Sequence, residues 1–183
     1  MHFGVDWRQE RWRNPMTPMF ELKPLSREGI PAALEKATRY RLLNEPGEAE
    51  SICHDILRIE PENQHALVTL LLAITDRFDK GYAIEATHAQ EIIPKLQDPY
   101  ERAYYSGIIS ERRAKAQLNR SGPGSGFEAY EFLRQAMTLY EKAEELRPPG
   151  NDDALLRWNA CGRIIMQNKL VPRTEERVDL PLE

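Results

Sequence analysis

The chain holds few groups spaced as chemistry would need them. His88 and Glu91 stand three residues apart, which puts both on one side of a helix and within reach of one metal ion. A metal site needs three or four ligands and no second pair exists, so the two read as a solvated helix face. Cys53 and His54 are a thiol and an imidazole side by side, but adjacent residues on a helix do not face each other. The base cannot serve the thiol, and Cys53 reads as a small buried hydrophobe. Cys53 and Cys161 match no metal spacing; two reduced thiols of a cytoplasmic chain are expected. The run "SGPGSG" is rich in glycine but lacks the lysine and the following serine or threonine of a phosphate loop, and reads as a linker. Asp152 and Asp153 fit the start of a helix. "ERRAKAQLNR", with Arg112, Arg113, Lys115 and Arg120, reads as a solvated basic helix face. "RQERWRNP", with Trp7 and Trp12, mixes bases and aromatics. It fits either a weak nucleic-acid contact or an arm packed on the first helical hairpin. No catalytic residue, metal or cofactor is expected.

Composition points the same way. Hydrophobic residues make up 41% of the 183 and charged residues 30%, which fits a soluble helical protein with solvated outer faces. A net charge of −4 gives no global bias toward nucleic acid or an anionic membrane. No apolar run approaches the ~18–20 residues that span a bilayer. Charges fall where a signal peptide needs its apolar stretch, so no secretion is expected.

The elements that would position any site are legible from two prolines. Counting back from Pro61 gives Ile59, Ile56, Cys53 and Ala49. Counting back from Pro148 gives Leu146, Ala143, Tyr140 and Ala136. The offsets are two, five, eight and twelve residues in both cases, and they lie on one face of a helix. The small residue at the far end permits a close neighbour, and the proline ends the helix. A second helical pattern precedes the first stretch, with Leu34, Ala37, Tyr40 and Leu42 as its apolar stripe and "NEPG" as the turn.

Helix, turn, helix and proline over about 34 residues resembles a tetratricopeptide repeat (TPR). Ala37, Tyr40, Ala49, Cys53, Ile56 and Pro61 fit the roles of the family pattern. Cys53 replaces the usual aromatic, Ile56 the usual alanine, and Ala33 the early tryptophan. A second repeat follows, with Leu67, Leu70, Leu71 and Ile74 in its first helix, and Ala83 and Pro94 in its second. A third carries Tyr104, Gly107 and Ile108. The interval from Pro94 to Pro148 exceeds one repeat by about twenty residues, read as two lengthened helices plus a long loop. There Phe127, Tyr130 and Leu133 are expected to pack on Ala114 and Leu118. Asn151 is the expected N-cap of a closing helix carrying Leu155, Leu156, Trp158, Ala160 and Ile164. The expected layout is all-α: an irregular arm at 1–27, a TPR-like α-α superhelix at 28–168 and a tail at 169–183. Its hairpins fall at about 30–61, 63–94 and 99–148, with a capping helix at 151–168.

The resemblance implies that the first helix of each hairpin lines a concave side that binds a peptide or a partner helix. Candidate groove residues are Leu34, Thr38 and Arg41, then His65, Val68 and Leu72, then Tyr104, Ile108 and Arg112, with Trp158 from the last helix; Thr75 and Glu111 fall on the same stripes. Chaperone-binding members grip a terminal carboxylate with lysines and asparagines. Here Leu34, Thr38, Val68 and Leu72 stand in those places, so no such clamp is expected, and the groove reads as rather apolar. The expected function is a non-enzymatic adaptor or chaperone-like module that binds another protein and no membrane. A nucleic-acid-associated helical repeat or a structural subunit of a complex are the alternatives. In the tail, Val178, Leu180 and Leu182 alternate with polar residues or proline. It reads either as an extended segment folded back on Trp158 and Leu155 or into the concave face, or as a frayed end.

Overall fold

A computed structural model describes residues 21–120 and 122–173, with the backbone alone for residues 80–84. The expected arm up to Phe20, with Trp7 and Trp12, the tail from Thr174, and the side chain of Ala83 therefore lie outside the described residues. The described chain forms seven α-helices: α1 (Ile30–Leu42), α2 (Pro46–Ile59), α3 (Gln64–Thr75), α4 (Phe78–Ile92), α5 (Pro99–Arg120), α6 (Ser125–Leu146) and α7 (Asp153–Gln167). No strand occurs among the described residues.

Local chemistry sets the boundaries. Pro46 and Pro99 sit in the first turns of α2 and α5, where a missing N–H costs nothing. Asn63 caps α3, its side chain accepting from the Ala66 amide at 3.0 Å. The Asn151 side chain accepts from the Asp153 amide at 3.0 Å, while the N-cap position itself is Asp152, one residue later than expected. Asn44 turns the chain between α1 and α2 at φ 61°, and Gly124 turns it before α6 at φ 80°. The four residues 121–124 are all that separate α5 from α6. The extra length of the third hairpin therefore goes into two helices of 22 residues each, not into a long loop.

Each helix packs on the next in sequence, and α1 also touches α3. The proline-anchored face is the packed one. Ala49, Cys53 and Ile56 in α2, and Ala136, Tyr140 and Ala143 in α6, are fully buried. Leu67, Leu70, Leu71 and Ile74 of α3 are buried as well. Leu133 reaches the core with Ala114, and Leu118 packs against them, whereas Phe127 is exposed.

Three expected core positions point outward. Leu42 is 82% exposed, because five residues past Ala37 the helix has turned well away from the buried face. Leu146 is the last residue of α6, where both it and Glu145 beside it meet solvent. In α7 the buried pair is Ala154 and Cys161, seven residues apart, so Leu156 falls on the outer side. Both cysteines are free and buried, and burial pushes both thiols up to about 12.

Close approach is tightest between α5 and α6. A Cβ at Gly107 would fall 2.5 Å from Cε1 of the Tyr140 ring. Ala136→Leu and Gly107→Ala are each expected to destabilise by about 1–3 kcal/mol through overpacking. That corresponds to a fall in Tm of several degrees, on the order of 2–4 °C per kcal/mol. Exposed Glu145→Ala should leave Tm within error. Calorimetry of the three variants checks the assignment of faces, and equal, negligible shifts would refute it.

Candidate functional site

Four helices, α1, α3, α5 and α7, share one line of charged side chains. Asp76, the residue that ends α3, divides its two oxygens between neighbours. Arg41 Nε of α1 donates to Oδ2 at 2.8 Å, and Arg112 Nη1 of α5 to Oδ1 at 2.6 Å. Arg112 also donates to the Leu72 carbonyl at 2.9 Å and to the Thr75 hydroxyl. One residue along α5, Glu111 is fully buried. Its Oε2 accepts from the Tyr140 hydroxyl at 2.7 Å, and its Oε1 from Lys115 at 2.5 Å and from Arg157 of α7 at 3.3 Å. The line thus runs from Arg41 through Asp76 and Arg112 to Glu111 and Arg157.

The electrostatics follow from burial and charge. Burial alone would raise the Glu111 carboxyl. Hydrogen bonds from Lys115 and Tyr140, with the charges of Lys115 and Arg157, outweigh it and hold the carboxyl below its ordinary range. The same contact works in reverse on Tyr140. Burial, then the Glu111 charge, push its phenol far above its usual range, so it stays a donor. Four cationic groups meet two carboxylates along the line. Arg41 and Arg112 are 20% exposed, whereas Lys115 and Arg157 are 45% and 40% exposed. Toward the starts of α5 and α7 the sign changes, with Glu101 and Asp153 near Tyr105, whose phenol burial raises to about 12.

The candidate groove residues divide into three groups. Arg41, Tyr104 and Arg112 lie on the charged line: the Tyr104 hydroxyl hydrogen-bonds Arg157, and its ring stacks on Tyr100 at 5.7 Å. Leu34 packs on Ile30, Ile56 and Ala66; Val68 and Leu72 pack on the central core; and Ile108 is buried. The apolar character expected of this face is thus mostly interior, and what remains at the surface is charged. Thr38 is half-buried one turn before Arg41, and His65 is exposed near the other end of α3. Trp158 faces α6 instead, donating from Nε1 to Glu141 at 2.9 Å in a groove shared with Glu144, Leu155 and Asn159.

Asp76 and Arg157 were not among the candidates; Glu111 was placed on this face without its burial or its partners, and Lys115 was read only as part of a solvated basic face. A signal for Asp76 exists in the spacing: Arg41 and Asp76 are 35 residues apart, close to one repeat. Opposite charges one repeat apart can meet between neighbouring first helices. The basic run on α5 is solvated only in part: Lys115 and Arg120 are exposed, Arg112 and Arg113 are half-buried. Arg112 is bound as described, and Arg113 lies over the Phe132 ring at 4.2 Å. His88 and Glu91 are both exposed on α4, and no group of three metal-ligating side chains comes together among the described residues. No described helix is long and apolar enough to cross a membrane. No family model, no curated protein and no solved structure matches the chain.

Glu111→Gln keeps the shape and removes the charge. Loss of charge-assisted hydrogen bonds is expected to cost about 1.5–3 kcal/mol at neutral pH. Because the folded carboxyl sits below its unfolded value, its stabilisation is full above about pH 4.3 and is lost as pH falls through the lower folded value. The gap between wild type and variant should therefore narrow below about pH 4. Urea unfolding at neutral and acid pH measures both, and a gap that widens in acid would contradict the assignment.

Proposed function

We propose that this chain is a non-enzymatic protein-interaction module, a TPR-like stack of three hairpins and a closing helix. Its first-helix face is the concave side and binds a segment of another protein. Support for the stack comes from the order of seven helices and from the burial of Ala49, Cys53 and Ile56 and of Ala136, Tyr140 and Ala143 at matching offsets. One observation carries the choice of face: the line of ion pairs touches all four first helices, and its two most exposed members are the cations Lys115 and Arg157. A partner segment bearing carboxylates fits that charge. Two buried free cysteines are compatible with a cytoplasmic setting.

A nucleic-acid partner is disfavoured on the same face. Glu101 and Asp153 interrupt the continuous basic track that a phosphate backbone would need, whereas a short acidic segment needs only the stretch at Lys115 and Arg157.

The test is fluorescence anisotropy with a labelled peptide of alternating Glu and Leu, beside its Gln-for-Glu counterpart and a single-stranded RNA. The acidic peptide alone should bind, and binding should weaken with salt. Lys115→Gln and Arg157→Gln should each weaken it by roughly two- to fivefold, as for charges at an exposed rim. Preference for the RNA, or equal binding of both peptides, would overturn this reading.

A further inference from the structure

We propose that copies of this chain bind head to tail: the outer stripe of α1 in one molecule lies in the groove between α6 and α7 of the next. In each hairpin a second helix packs on the first, α2 on α1, α4 on α3 and α6 on α5. After α7 no further described helix follows, and Leu170 turns back into the core of the third hairpin. The flank of α7 beside this groove is therefore left open. Leu155, Asn159, Gly162 and Met166 lie along it at offsets of zero, four, seven and eleven residues, one stripe of a helix. Met166 is 70% exposed, and a Cβ at Gly162 would meet nothing nearer than the Trp158 ring at 4.0 Å. The middle of the stripe is thus low and uncovered among the described residues.

Charge chooses the occupant. The other wall of the groove carries Glu141 and Glu144 of α6. Glu141 accepts from the Trp158 indole N–H at 2.9 Å, which orients the carboxylate without neutralising it. Arg147 Nη2 stays 3.8 Å from Glu144, while its Nη1 donates to Asp152 at 2.6 Å. A helix that fits here is apolar and carries two cations three residues apart. The outer stripe of α1 has that form. Ala32, Lys36, Arg39 and Leu43 repeat the offsets of the α7 stripe and are all exposed, Leu43 to 63%. Arg41 of the same helix is spent on Asp76, whereas Lys36 and Arg39 meet solvent; Glu35 flanks them and leaves the stripe net positive. The cations and the carboxylates are each three residues apart, about 4.5 Å along a helix, so both pairs can form at once. Ala32 and Leu43, at the ends of one stripe, then meet Leu155 and Met166 at the ends of the other. Among the described helices α1 packs on α2 and α3, and α7 on α6, so the contact is made between copies. A head-to-tail contact leaves a free α1 and a free groove, so growth stops only where a ring closes. It uses neither Lys115 nor Arg157 and stands apart from the acidic-segment reading.

The test is analytical ultracentrifugation of the full chain across roughly 5 to 500 μM, a span suited to a contact of one helix face. The weight-average mass should rise above that of one chain as concentration increases. Lys36→Glu with Arg39→Glu should leave the protein monomeric, and so should Glu141→Lys with Glu144→Lys. An equimolar mixture of the two reversed proteins should associate again, because the acidic α1 of one meets the basic groove of the other. Melting curves check the fold of each variant. Where the groove double variant melts early, Glu144→Lys alone replaces it and leaves the Trp158–Glu141 hydrogen bond in place. A wild-type mass that stays at one chain overturns the proposal. So does a reversed variant that associates as wild type does, or a mixture of folded variants that stays monomeric.

Discussion

A phenol buried in a helix bundle is stabilised by an acceptor for its hydroxyl, and the Tyr140 hydroxyl donates to Glu111 at 2.7 Å. Much of the third hairpin follows from that contact. The ring fills the space between α5 and α6 only because position 107 has no side chain. The acceptor is a carboxylate with no exposure of its own, and a buried carboxylate is tolerable only when it is paired. Lys115 comes from the next turn of α5, and Arg157 must come from α7. The closing helix is thus held by charge as well as by Ala154 and Cys161. In the first hairpin the equivalent position is Cys53, a thiol that asks for no partner. One backbone ruler therefore carries two different interior demands, and only the third hairpin needs the buried charge.

The turn between α3 and α4 solves a related problem with two adjacent residues. Asp76 faces the first helices and separates two guanidinium groups that would otherwise repel. Arg77 faces the other way and lies between Glu50 of α2 and Glu85 of α4, at 2.9 and 3.2 Å. Consecutive residues leaving a helix point in different directions, so one turn ties both rows of helices.

The helical layout was legible because it is written in local chemistry: prolines, turn residues and small residues at fixed offsets. Leu42 and Leu146 were misplaced because hydrophobicity alone does not state which side of a helix its last residue occupies, and Leu156 because Ala154 and Cys161 set the buried face of α7. The first-helix face was read as apolar for a different reason. Leu34, Val68, Leu72 and Ile108 do lie on the first helices, but packing between neighbours claims them. Long charged side chains nearby remain at the surface, and a stripe of apolar letters hides them. Asp76 was visible only as the partner of an arginine one repeat away; Glu111 was visible on the helical stripe, but its burial only by asking what a buried Tyr140 would need.

A surface made of internal ion pairs can still bind, because its members are not equivalent. Arg41 and Arg112 are largely covered and share Asp76, so drawing them toward a ligand would leave a carboxylate without its cations. Lys115 and Arg157 both attend one carboxylate oxygen while about half of each side chain meets solvent. Either can turn part of its hydrogen-bonding capacity outward while the other continues to neutralise Glu111. The covered pair fixes the helices, and the half-covered pair is available. Binding at such a face would draw on charge that folding has already oriented, which reduces the ordering cost of recognising an acidic segment.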